Sequence, residues 1–223
     1  MKYLKLFQTQ GEYDVFLESE AYVIPNVSLV KGDNSIKYNV LFGVFLQHVD
    51  GSLYTTDEWI GGGFANDKAN GVAVITSNAS FVMAPIWLSG KQWSSNTSTV
   101  VNGVAVAPTA EDAALDLDGK SNTAAFLAEV GGATTAAPSC ANYVFPNGVN
   151  GYLPSFGELK IAHAHKDEID AALAVIGSTA TAEHWSSTQA SADKAWTLNW
   201  KTGAVGSKTK SFSDKIVRPF ASL

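Results

Sequence analysis

The chain has 223 residues, and this length is enough for one large domain with its own hydrophobic core. Its formal net charge at pH 7 is -6 and its Lys and Arg residues are scattered, which argues against a basic surface for nucleic acid. The lone cysteine, Cys140, excludes an intrachain disulfide, and no segment is long and apolar enough for us to expect a signal peptide or membrane insertion.

Residues 1–39 predict a small N-terminal attachment or adaptor unit, distinct from the rest of the chain. Within it, residues 22–30 and 35–39 are typical of two strands, and the cluster at residues 31–34 favours the turn between them. So short a unit buries little apolar surface. We therefore expect it to dock on the main domain or on neighbouring copies.

The main domain is predicted over residues 40–223, and its first half is rich in strands. The apolar run at residues 40–46 is typical of a buried strand. Residues 71–75 and 80–84 predict a hairpin that turns near Ser77.

Helices are expected in the middle of this domain. A cap at Ser121 opens a helix predicted over residues 123–130. The pair Ser155 and Glu158 has capping-box spacing and opens a second helical stretch that extends, continuously or after a restart, to residue 176.

A second hairpin is predicted near the C-terminus. Residues 195–200 alternate with period two, which separates their side chains onto two faces of a strand. The apolar face carries Trp196, Leu198 and Trp200. The polar face carries Thr197, Asn199 and Lys201. Residues 205–210 return after a turn, and their polar side chains are expected to face water or a partner.

Four motifs follow one another along the main domain: DGKSNT at residues 118–123, LPSFGEL at 153–159, WSST at 185–188 and VRPF at 217–220. In this order they resemble the C-type-lectin-fold proteins, a group that includes phage tropism determinants and variable proteins diversified by retroelements. The resemblance implies the α+β class, with twisted antiparallel sheets, two main helices and long loops. It also implies that residues 182–220 form a variable-looking region.

By the same resemblance, the C-terminal hairpin presents a ligand-binding surface whose side chains vary while the backbone stays fixed. The structural frame of this surface would consist of Trp185, Trp196, Leu198 and Arg218. The ligand-binding residues would be polar side chains of the hairpin and its loops: Gln189, Ser191, Asp193, Lys194, Thr197, Asn199, Lys201, Ser207, Thr209 and Ser211. For each of these residues, an ordinary solvated role is the alternative.

Metal and catalytic chemistry find little support in the residue pattern. His163 and His165 are two residues apart, so on a helix they point in nearly opposite directions instead of toward one zinc ion. The Glu-Pro-Asn and Trp-Asn-Asp triplets of calcium-dependent lectins are absent, and the formylglycine-generating enzymes that share this fold need cooperating cysteines. We expect no enzyme and no cofactor, whereas a purely structural calcium ion stays open.

These features predict a non-enzymatic recognition protein of a phage or prophage virion, associated with a tail or head fibre. Its expected partners are a host cell-surface protein or glycan, other virion proteins through the N-terminal unit, and further copies of itself, a trimer being one option. Two alternatives stay open. One is a lectin-like adhesin on a bacterial surface, and the other is a structural virion decoration protein without a ligand.

Overall fold

The computed structural model describes residues 30–32, 35–37, 42–129 and 134–223. The expectations for residues 1–29, and for the helix end at residues 130–132, lie outside this part of the chain. The first described strands, β1 and β2, form the hairpin predicted for the N-terminal unit. They are Val30–Gly32 and Ser35–Lys37, paired antiparallel with Gly32 opposite Ser35. Two residues of the predicted turn, Lys31 and Gly32, therefore belong to a strand.

Sheet 1 has five strands in the order β12-β6-β5-β3-β4, all antiparallel. The strands are β3 (Gly43–His48), β4 (Leu53–Tyr54), β5 (Ala69–Ile75), β6 (Ser80–Met83) and β12 (Phe220–Ala221). The predicted hairpin of β5 and β6 is confirmed, and Thr76 closes its turn by accepting a hydrogen bond from the Ala79 amide at 3.0 Å. Every residue of β5 is buried, because apolar clusters cover both faces of this sheet.

Sheet 2 has five strands in the order β10-β9-β8-β11-β7. They are β7 (Leu88–Lys91), β8 (Glu183–Gln189), β9 (Lys194–Asn199), β10 (Val205–Thr209) and β11 (Lys215–Val217). Strands β8 and β11 run parallel, and the other neighbours are antiparallel. The predicted C-terminal hairpin is therefore present, and its strand β10 forms one edge of the sheet.

Six α-helices lie in the described residues. They are α1 (Thr56–Gly61), α2 (Ala110–Ala114), α3 (Gly119–Glu129), α4 (Ala136–Ala141), α5 (Phe156–Ala164) and α6 (Lys166–Val175). The capping box of Ser155 and Glu158 opens α5 as predicted. Helix α3 begins before the predicted start, at Gly119, where the Asp118 side chain accepts a hydrogen bond from the Ser121 amide at 3.0 Å.

The main hydrophobic cluster joins helices α5 and α6 to both sheets. Leu159 and Leu173 of these helices pack in the same buried cluster as Val72 of sheet 1 and Leu198 of sheet 2. A second cluster covers the opposite face of sheet 2 with Trp93, Phe126, Trp185, Ala195 and Val217. The centre of sheet 2 is consequently covered on both faces, although the alternation of apolar and polar residues in β9 is typical of a strand with one solvent-exposed face.

The fold is a mixed α+β arrangement of two sheets and short helices, joined by long loops. Within the described ranges, no helix combines the length and the apolar character needed to cross a bilayer.

Candidate ligand-binding surface

The apolar frame of the C-terminal hairpin is buried as the alternation predicts. Trp196 and Leu198 are 8% and 1% exposed, and Trp185 and Arg218 are buried as well. The indole N–H of Trp196 donates to the Ala107 carbonyl at 2.8 Å, and that of Trp185 donates to the Lys91 carbonyl at 2.9 Å. These bonds fix β9 to a distant loop and β8 to strand β7, so the hairpin backbone is held from both faces.

Thr197 does not face solvent, and the prediction that it does is wrong. The residue is fully buried, with Oγ1 2.6 Å from Glu183 Oε1 and 3.1 Å from the Gly206 carbonyl. Alternation separates two faces of a strand, but it does not say whether another part of the chain covers the second face. Here Glu183, the neighbouring strand β10 and the second hydrophobic cluster cover it.

Gln189 is also buried, which contradicts its predicted exposure. Its Oε1 accepts a hydrogen bond from the Val101 amide at 2.9 Å, and its Nε2 donates to the Val101 carbonyl at 3.0 Å. The loop over residues 94–104 lies above this side chain and uses it as a backbone partner. Gln189 therefore positions a loop and has no amide left to offer an external ligand.

Strand register divides the remaining predicted residues into separate groups. Ser207 pairs with Trp196, so it shares the face of Trp196 and lies on the opposite face from Asn199. Asn199 and Lys201 belong to the turn at the far end of the hairpin, where Asn199 Oδ1 accepts from the Thr202 amide at 3.1 Å. Strand β9 holds the two ends of the hairpin about 17 Å apart. The near end carries Ser191, Asp193, Lys194, Thr209 and Ser211.

Lys210, predicted to face water or a partner, is instead buried at the near end of the hairpin. Its Nζ donates to the Thr99 carbonyl at 2.9 Å, to Gln189 Oε1 at 2.8 Å and to the Ala192 carbonyl at 2.7 Å. The ammonium also lies 4.8 Å from the centre of the Trp93 ring, a cation–π distance. One side chain thus fastens the loop over residues 94–104 to the turn between β8 and β9.

The backbone of Lys210 extends the same connection. Its amide donates to the Asp193 carbonyl at 2.9 Å, and its carbonyl accepts from the Trp93 amide at 3.0 Å. Burial lowers the pKa of Lys210 to about 8, and the nearby Asp193 carboxylate opposes that shift. The charge is held mainly by neutral oxygens, since two of its three hydrogen-bond acceptors are backbone carbonyls and the third is an amide.

We call the exposed and half-buried side chains of the segments that this buried lysine joins, together with those of its own chain neighbours, the Lys210 surface. It consists of Ser95, Asn96, Ser98, Thr99, Val100, Ser191, Asp193, Lys194, Ser211 and Phe212. Ser191 Oγ donates to Asp193 Oδ1 at 2.7 Å, and this bond lowers the pKa of the Asp193 carboxyl. Only four of these positions follow from the sequence pattern. Phe212 follows Ser211 directly, and the other five lie on a loop that is about ninety residues earlier in the chain, where nothing in the composition links it to the hairpin.

The histidines belong to no cluster of metal ligands in the described part of the chain. Across residues 30–32, 35–37, 42–129 and 134–223, no group of three or more His, Cys, Asp or Glu side chains is placed to hold a metal ion. His163 contacts the Trp200 carbonyl at 3.1 Å through Nε2. His184 is buried, and its burial together with the charge of Arg218 lowers its pKa to about 3. His184 is therefore a neutral packing residue at physiological pH.

Comparison with known proteins gives a similarity of fold. No protein-family model matches the chain, and no curated protein matches it. Among solved structures, a fimbrial protein from Bacteroides ovatus ATCC 8483 is similar, with a TM-score of 0.57 and 17% sequence identity. The similarity covers 83% of this chain and 49% of the fimbrial protein, so this chain corresponds to about half of that protein.

Proposed function

We propose that this chain is a non-enzymatic recognition protein that binds its ligand through the Lys210 surface. The observation that supports this proposal is the buried ammonium of Lys210, which holds loops from distant parts of the sequence with three hydrogen bonds. Polar side chains such as Asp193 and Lys194 project from loops fixed in this way. A fixed backbone lowers the entropy that a binding surface loses when it meets its ligand.

The same proposal includes a more specific fold and the structure that carries the protein, which is either a virion or a bacterial surface. The four sequence motifs favour a C-type lectin-like fold, and with it a receptor-binding protein of a phage or prophage virion. The fold similarity to a fimbrial protein favours the second candidate, an adhesin on a bacterial surface. In either setting the partner is a host or neighbouring cell-surface protein or glycan.

Several copies would act together in this proposal. The Lys210 surface comprises a small number of side chains, and a patch of that size binds weakly. A homo-oligomer such as a trimer raises the overall affinity by about 10²- to 10⁴-fold without a new contact. The N-terminal unit would attach the domain to other virion proteins or to the rest of a surface assembly.

The experiment compares two double variants for binding to immobilised host-surface material. Asp193→Ala with Lys194→Ala removes two exposed side chains of the Lys210 surface. Lys201→Ala with Thr202→Ala removes two exposed side chains at the far end of the same hairpin and serves as the matched control. We expect the first variant to lose at least tenfold in binding while the second binds like the wild type. Equal binding by all three proteins would contradict the proposed site.

The genes next to the coding sequence can show whether a virion or a bacterial surface carries the protein. A reverse transcriptase gene beside a near-copy of the stretch that encodes residues 182–220, differing at adenines, would support a diversified virion protein. Neighbouring genes for a surface assembly would support the adhesin. A decoration protein without a ligand would be indicated if no host-surface material bound the wild type at all.

A further inference from the structure

A cleft of about 310 Å³ lies on the surface between two short segments, residues 85–87 and 177–179. The first segment leads into strand β7, and the second follows the end of helix α6. A volume near 300 Å³ is at the lower end of the range for small-molecule sites. The cleft is therefore large enough for a single small ring with its substituents.

Buried hydrogen bonds connect the two segments that line this cleft, which we call its lips. The guanidinium of Arg218 donates through Nη1 to the Ala84 carbonyl at 2.7 Å and through Nη2 to the Thr179 carbonyl. Arg218 is 1% exposed, so this bridge lies beneath the cleft. Ser178 Oγ also donates to the Pro85 carbonyl. The opening between the lips is thus a fixed feature of the fold.

Trp87, which lines the cleft, differs from the other tryptophans in the chain. It is 41% exposed, whereas the other five are at most 8% exposed: Trp59, Trp93, Trp185, Trp196 and Trp200. Ile86 beside it is 46% exposed. A tryptophan left on the surface beside a preformed cleft is an anchor for a partner, because burying its ring on binding yields a large hydrophobic gain.

The side chains that line the cleft beside Trp87 indicate which kind of ligand would fit. The described residues around the cleft are Pro85, Ile86, Trp87, Gly177, Ser178 and Thr179, and none of these has an ionisable side chain. The Thr179 hydroxyl can donate and accept hydrogen bonds beside the Trp87 ring, whereas the Ser178 hydroxyl, which donates to the Pro85 carbonyl, can accept them. A neutral ligand with one apolar face and several hydroxyl groups matches this lining, and a pyranose ring has that form.

We propose that this cleft binds a neutral hexose residue of a glycan, with the C–H face of the sugar stacked on Trp87 and its hydroxyls hydrogen-bonded to Ser178 and Thr179. The site is separate from the Lys210 surface, because Trp87 precedes β7 and Trp93, which contacts Lys210, follows it. The two sites share no residue, and the segment from Trp87 to Trp93 can span at most roughly 20 Å, at about 3.3 Å per residue. The inference therefore goes beyond the proposed function and does not depend on it.

The test uses the full chain and a panel of methyl glycosides of neutral hexoses and N-acetylhexosamines. The affinity is measured from the glycoside's own ¹H signals by saturation transfer, which works for every variant, and the site is located by the indole N–H signals of the tryptophans in ¹H–¹⁵N spectra. We expect one glycoside to shift the Trp87 signal and to leave the buried indoles unchanged. Trp87→Ala should weaken that binding at least tenfold and Thr179→Val about threefold to tenfold, which corresponds to about 1 kcal/mol for one hydrogen bond.

Ile60→Ala is the matched control, since Ile60 is 63% exposed and lies outside the cleft, so this substitution removes an exposed apolar side chain without changing the lining. Unchanged thermal unfolding of the variants would show that all of them fold. The proposal is overturned if no glycoside shifts the Trp87 signal, or if Trp87→Ala binds as tightly as the wild type. A Trp87-dependent self-association without any sugar effect would also overturn it, and would indicate a protein interface instead. Loss of binding at the Lys210 surface by the Asp193 and Lys194 variant would leave this result unaffected.

Discussion

The side chain of Thr188 donates a hydrogen bond to Asp116, with 2.6 Å between Oγ1 and Oδ2. The same carboxylate oxygen accepts from Asn122 Nδ2 at 2.8 Å, and Thr188 Oγ1 accepts from the Phe156 amide at 2.8 Å. These bonds bring three of the four sequence motifs into one place. The DGKSNT, LPSFGEL and WSST segments are far apart in the chain but share a single polar network in the structure.

The network continues into the start of helix α5. Glu158 Oε2 accepts from the Ser155 amide at 2.7 Å, and Glu158 Oε1 accepts from the Tyr152 hydroxyl at 2.8 Å. Burial raises the pKa of Glu158 to about 7 in spite of these donors. Local architecture therefore explains these three motifs, which cap helices α3 and α5 and connect them to β8.

The close packing of this network makes Gly119 a sensitive position. A Cβ atom at Gly119 would lie 2.4 Å from Glu158 Oε2 and 2.5 Å from the Ser155 amide nitrogen. Gly119→Ala should lower the free energy of unfolding by about 1–3 kcal/mol, as overpacking does, in urea titrations. Gly61→Ala is the control, because a Cβ atom at Gly61 would meet nothing within 4 Å, and it should be neutral or stabilising by up to about 1 kcal/mol. Equal stability of the two variants would contradict the network's tight packing.

The parts of the fold that the sequence predicted correctly are those determined by neighbouring residues. The capping box of Ser155 and Glu158 and the hairpin of β5 and β6 depend on side chains within a few positions of each other. Helix α1 has the same kind of local signal, the pair Thr55 and Glu58, and could have been predicted from it. Strand β7 has no such pattern, because it is held as an edge strand by pairing with the distant β11.

The candidate site could be predicted only in part, for a related reason. The apolar positions of β9 were identified because their alternation is local. The burial of Thr197 and Gln189 depends on segments that lie far away in sequence, namely the second hydrophobic cluster and the loop over residues 94–104. Lys210 looked like a solvated lysine of a polar strand. Only the arrangement of three distant acceptors around its Nζ makes it an interior residue.

Removing the ammonium of Lys210 should loosen the loops it connects. Lys210→Met keeps most of the apolar stem but removes one donor from three oxygens, of which Gln189 Oε1 keeps the Val101 amide, and this costs about 1–3 kcal/mol of unfolding free energy. Hydrogen exchange should accelerate at the Val101 amide, which bonds to Gln189. Lys208→Met is the control, because Lys208 lies two residues earlier in β10 with a side chain 40% exposed, and it should change stability by less than about 0.5 kcal/mol. Unchanged exchange in Lys210→Met would show that the loops are held by other contacts.

Cys140 should be unreactive in the folded protein. Its side chain is completely buried in the second hydrophobic cluster, and burial raises the pKa of the thiol above its ordinary value. Because the thiolate is the reactive form, a disulfide reagent such as Ellman's should modify Cys140 only as fast as the protein opens. The modification rate should rise steeply with urea and reach that of a free thiol after unfolding. Rapid modification without denaturant would contradict the buried position.

The imidazole of His184 should make the protein sensitive to acid. Its pKa is about 3 in the folded protein, whereas the unfolded chain takes up this proton near the ordinary value of 6.5. Between these two pH values the unfolded chain binds more protons, so the free energy of unfolding falls as pH falls, by at most about 1.4 kcal/mol per pH unit. The contribution of neutral His184 is fully present above pH 6.5.

His184→Leu should remove this dependence. Glu158 titrates in an overlapping range with the opposite sign, since its raised pKa makes the folded protein bind more protons. Wild type and variant share Glu158, so the difference between their stabilities isolates His184. Urea titrations between pH about 7 and about 4.5 should show the wild type losing stability relative to the variant as the pH falls. A constant difference across this range would mean that His184 is protonated in the fold, or that it titrates equally in both states.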